Sequence, residues 1–64
     1  MDLKTNLMIR KVKLEERIES LQGHIVNLTA IGGEGRLALA DQFEEKVEKL
    51  KQKMFELNIE LDAL

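Results

Sequence analysis

Six cations recur at two matching spacings: Arg10, Lys13 and Arg17 in the first half, and Lys46, Lys49 and Lys53 in the second. Steps of three and four put each trio on one side of a helix. Cations so aligned hold phosphates or an acidic protein surface. The single His24 adds a group whose charge changes near neutral pH. No aromatic residue accompanies the stripe, which argues against stacking on single-stranded bases. The plain alternative is a solvated side that keeps the helices soluble.

A second candidate is Gly32-Gly33-Glu34-Gly35-Arg36, placed where a helix begins. Free N–H groups at a helix start, with Gly33 and Gly35 admitting an anion and Arg36 beside it, can bind phosphate. A phosphate loop also needs a strand before it and Lys-Ser/Thr after it, and this chain has neither. Glu34 would repel the anion. The segment therefore reads first as a turn. His24 with nearby carboxylates has the residue types for acid–base work or metal binding, yet a two-helix layer encloses no pocket for either. No catalytic constellation and no metal site is expected. No cofactor is expected either.

The elements that carry these residues follow from heptad periodicity. Leu7, Leu14, Leu21 and Leu28 recur every seven residues, with Ile18 and Ile25 between them. Phe43, Val47, Leu50, Met54, Leu57, Leu61 and Leu64 alternate steps of four and three. If the chain folds back at the glycines, Leu7 meets Leu61, Leu14 meets Met54, Ile18 meets Leu50, Leu21 meets Val47, Ile25 meets Phe43 and Leu28 meets Ala40. Each pair of numbers sums to 68, so the fold point is Glu34. The expected fold is all-α: an antiparallel, coiled-coil-like two-helix hairpin forming one domain over residues 1–64. Its helices are expected at about 2–31 and 36–64, joined by a turn at 32–35. Asp2 is placed to cap the first helix. Gly32 and Gly33 are suited to the left-handed conformation that ends it, and Gly35 to re-entry. Gly23 falls outward, as a soft point and not a break.

Charge pairs across the seam support that register only in part. Glu15 faces Lys51 and Arg10 faces Glu60, but Arg17 faces Lys53 and His24 faces Lys46. With Leu7, Leu14, Phe43 and Leu50 as d positions, Lys4 and Lys11 occupy a. A Lys there restricts pairing, although its stem can lie across Leu57 or Leu64.

Several large apolar residues point away from the seam. Met8 and Leu37 fall at e, and Val12, Val26 and Phe55 at b, with Ile59 beyond. Positions e and b of two antiparallel helices share one side of the hairpin, and an apolar cluster there marks an interface. Ile31 and Leu39, at g, widen the apolar face near the turn, as suits four helices better than two. The e/b side also collects Glu15, Glu19, Asp41, Glu44 and Glu48. The g/c side carries the six cations and His24.

The chain has 64 residues, net charge −2, and neither Cys nor Pro. A chain this short buries little and lacks a disulfide staple, so association is its remaining route to stability. No apolar run is long enough to cross a bilayer. No signal-peptide layout opens the sequence, and the cytoplasm is the expected compartment. Leu57-Asn58-Ile59-Glu60-Leu61-Asp62 resembles, over six residues, a helix motif of small sporulation-linked aspartyl-phosphate phosphatases. Asn58 stands where that motif has Ser, so no role transfers. The expected architecture is similar to the plasmid Rop hairpin dimer, but no Rop motif aligns, and its RNA binding does not transfer.

The expectation is a non-enzymatic homodimer, or a tetramer, built as a four-helix bundle through Met8, Val12, Val26, Leu37, Phe55 and Ile59. It would act as a protein-binding regulator, inhibitor or adaptor, as small bacterial or phage proteins of this build do. One alternative is binding of structured RNA or DNA along Arg10, Lys13, Arg17, Lys46, Lys49 and Lys53. Another is a sponge or sensor for phosphorylated small ligands at Gly33, Gly35 and Arg36. A last one is an excised or designed coiled-coil segment without activity of its own. No membrane partner is expected.

Overall fold

The computed structural model describes residues 2–64 and contains two α-helices, α1 (Leu3–Ile31) and α2 (Glu34–Asp62). They pack along their length as a helical hairpin with principal extents of 47 × 16 × 12 Å.

Capping and sequence explain where α1 begins. Asp2 is its N-cap, and the Thr5 N–H donates to Asp2 Oδ1 at 2.7 Å. That bond satisfies one of the donors left free at a helix start. The Thr5 backbone N–H, and after it the Thr5 side chain, hold the Asp2 carboxyl below its usual range by favouring the charged form. At the other end the Thr29 hydroxyl donates back to the carbonyls of Ile25 and Val26, at 2.9 and 3.0 Å. The helix passes through Gly23 unbroken.

The turn is tighter than the glycine spacing suggests. Only Gly32 and Gly33 lie between the helices; Glu34 and Gly35 already belong to α2, two residues before its expected start at Arg36. Both turn glycines have positive φ, 77° and 98°. Their ψ values, −168° and 146°, put them in the mirror image of the extended region and not in the left-handed helical one. Only glycine occupies that region readily. Gly33 then serves as the N-cap of α2, and its carbonyl accepts from the Leu37 N–H at 2.9 Å. Glu34, a carboxylate in the first turn, meets the positive end of the helix dipole. An early start with Gly35 inside the helix is therefore tolerated.

The core is the expected seam. Leu7, Ala40, Val47, Leu50 and Leu57 are buried. Leu14, Ile18, Leu21, Ile25, Leu28, Phe43, Met54 and Leu61 are half-buried, and Lys11 is half-buried among them. Lys4 is exposed. Leu64 departs from its assigned place: it lies beyond α2 and is 63% exposed. In the fold-back register its counterpart is Lys4, so no apolar partner waits there. The side-chain hydrogen bonds among the described residues stay local to one helix. Apolar packing therefore sets the register, with charge secondary.

Candidate functional site

The hairpin is a flat ribbon of two helices with two broad sides. Positions g and c of both helices meet on one, and e and b on the other. On the g/c side, all six cations named from the sequence line two adjoining grooves. The groove nearer the open end, about 390 Å³, is walled by Arg10, Lys13, Arg17 and Lys53, with Glu56 and Glu60 opposite and Leu14 and Leu57 beneath. Arg10 and Glu60, paired from the heptad register, thus share one groove. The groove nearer the turn, about 580 Å³, is walled by Arg17, Ser20, His24, Lys46, Lys49 and Lys53 over Leu21, Phe43 and Leu50. No carboxylate lines it.

Helix geometry explains this division. Arg10, Lys13 and Arg17 on α1 cover the stretch from the open end to the middle. Lys46, Lys49 and Lys53 on the antiparallel α2 cover the middle of the ribbon and reach toward the turn to just short of the level of His24. The two trios overlap at Arg17 and Lys53, which line both grooves. Together they make one diagonal cationic stripe across the ribbon. From Arg10 to the level of His24 it runs roughly 21 Å at ~1.5 Å rise per residue. Ser20 had no signal in the sequence beyond its c position; it enters only because the groove closes around it.

Beside that groove the His24 and Phe43 rings lie 6.2 Å apart, centroid to centroid, inclined at 52°. Lys46 Nζ stands 5.8 Å from the Phe43 ring centre. A cation at that range is attracted by the ring face. Phe43, expected in the seam, therefore has a second contact: it anchors the Lys46 side chain over the groove floor.

The opposite side is apolar at its ends and acidic between. Met8, Val12, Val26, Leu37, Phe55 and Ile59 are all exposed, from 47% at Leu37 to 66% at Phe55. A shallow groove there is lined by Gln22, Ile25, Val26, Glu44, Val47, Glu48 and Lys51. Val26 and the acids Glu44 and Glu48 are thus brought together on one side, as their heptad positions require. Ile31 and Leu39, at g near the turn, are also exposed.

The glycine-rich turn holds Gly33, Gly35 and Arg36 at the start of α2. Arg36 Nη1 lies 3.8 Å from where a Cβ on Gly33 would be. Glu34 occupies the same helix start, and the cationic grooves lie elsewhere along the ribbon. Among the described residues no group of three His, Cys, Asp or Glu is placed to hold a metal ion. No described helix is long and apolar enough to cross a membrane. The sequence matches no protein-family model and no curated protein, and the fold matches no solved structure.

Proposed function

We propose that this hairpin is a non-enzymatic binding module that associates with copies of itself through the e/b side and acts as a protein-binding regulator, inhibitor or adaptor. The observation that supports this most is the area left uncovered. The chain exposes 5068 Å² at a mass of 7.4 kDa. A compact monomer of that mass exposes roughly 4,200 Å² by the area–mass scaling. The excess, on the order of 900 Å², is close to what each partner contributes to a standard interface, ~800 Å². Large apolar side chains supply much of the uncovered surface, and contiguous apolar patches mark contact surfaces.

Sedimentation equilibrium at micromolar concentration, on the native chain and on Phe55→Glu, tests this reading. The native chain is expected to exceed monomer mass. The substitution puts an unpaired charge into the apolar end and is expected to return the protein to monomer with its helicity intact. A native monomer across the concentration range removes the reading. A Phe55→Glu protein unchanged in both mass and melting moves the interface off this end of the e/b side.

The cationic stripe favours a second reading, the binding of a polyanion such as duplex RNA or DNA to the g/c side. Against it stands a net charge of −2 for the whole chain.

A further inference from the structure

The two sides of the ribbon complement each other in charge, and each copy presents both. The g/c side carries Arg10, Lys13, Arg17, Lys46, Lys49 and Lys53 along its grooves, with Glu56 and Glu60 confined to the open end. The e/b side carries Glu15, Glu19, Asp41, Glu44, Glu48 and Asp62, with Lys51 as its single cation. Pairing two e/b sides would bring these acids against a surface that offers Lys51 as its single cation, and like charges at close range repel.

From these placements we infer that the e/b side of one hairpin docks on the cationic g/c side of a second copy. This rests on the self-association proposed above and names the surface that receives the e/b side. In the fold-back register the acids and the cations both straddle the middle of the ribbon, so the two clusters can lie opposite each other. The same contact covers Met8, Val12, Val26, Leu37 and Phe55, which are exposed in the single hairpin.

The contact is heterologous: it leaves an e/b side free on one copy and a g/c side free on the other. Unless its rotation closes a ring, further copies add. Assembly beyond a dimer is the consequence.

Sedimentation of the full chain decides between the two pairings, because charge neutralisation moves them in opposite directions. Two triple variants are compared with the native chain at low and high ionic strength: Asp41→Asn with Glu44→Gln and Glu48→Gln, and Lys46→Gln with Lys49→Gln and Lys53→Gln. All six positions are exposed, and circular dichroism confirms that the helices persist. The expected result is native mass that rises past the dimer with concentration and falls with salt. Each triple variant is expected to weaken association tenfold or more. Two reversed variants, the acids changed to Lys and the three lysines changed to Glu, are expected to be monomeric alone and to associate when mixed. If neutralising the acids tightens association and the native mass stops at a dimer, the inference falls while self-association through paired e/b sides stands. A native monomer under all conditions overturns both. If the Lys triple variant self-associates normally but loses binding to a short RNA or DNA duplex that the native chain holds, the g/c side takes a polyanion and the inference is overturned.

Discussion

At the residue scale, glycine does opposite things at different positions. Gly32 and Gly33 sit at φ 77° and 98° with extended ψ, where a side chain is strained whatever space surrounds it. Gly23 sits in mid-helix, and a Cβ added there meets nothing within 4 Å. Gly23→Ala should therefore stabilise the fold by about 1 kcal/mol, the difference in helix propensity. Gly32→Ala should destabilise it by about 1–3 kcal/mol, the cost of holding a non-glycine residue in that region. Urea denaturation of both variants against the native chain checks the two signs together. Equal and small effects would mean that the turn adapts to a side chain. Composition points to this turn, since three glycines in four residues stop a helix. It cannot say which of them bend the chain. That depends on Glu34 complementing the helix dipole and so letting α2 start before Gly35.

At the element scale, the two halves of the seam are unequally covered. On α2 the stripe is buried at Ala40, Val47, Leu50 and Leu57, whereas on α1 only Leu7 is buried. A Leu→Ala change costs roughly 2–5 kcal/mol in a core, with the value set by how much contact is lost. Leu50, 8% exposed, should therefore lose more than the half-buried Leu21 when each is changed to Ala. Thermal unfolding of Leu21→Ala and Leu50→Ala under conditions that keep the chain monomeric measures the difference. If Leu21→Ala costs as much, the α1 stripe is covered by something more than α2. Most of the fold is legible in the stripes, because an apolar repeat of three and four can face only one partner helix at a time. The end of α2 is not. The stripe continues in sequence to Leu64, but α1 offers Lys4 at that level, and burial needs a partner as well as a pattern. The candidate site is legible to the same degree. Heptad positions put the six cations on one side. The carboxylate-free stretch appears only once the antiparallel pairing sets Glu56 and Glu60 against Arg10 and Lys13 and leaves Lys46 and Lys49 opposite Ser20 and His24.

At the scale of the whole molecule, shape and stability are linked. The radius of gyration is 14.7 Å, against about 11 Å for a compact domain of this length. A ribbon two helices wide has little interior, and here only five residues are buried among those described, with no disulfide to compensate. Covering the sides of such a chain would add to its stability. A partner that binds the folded form and not the unfolded one stabilises it by mass action, in proportion to the logarithm of its concentration once sites fill. When the partner is another copy, protein concentration is the ligand concentration. The melting temperature should then climb steadily over a hundredfold rise in concentration, while Phe55→Glu should melt at a low temperature that does not move. A native chain whose melting temperature stays constant over that range folds on its own seam alone. Its apolar ends would then be free for a different protein, and the cationic grooves would have no claim from a second copy.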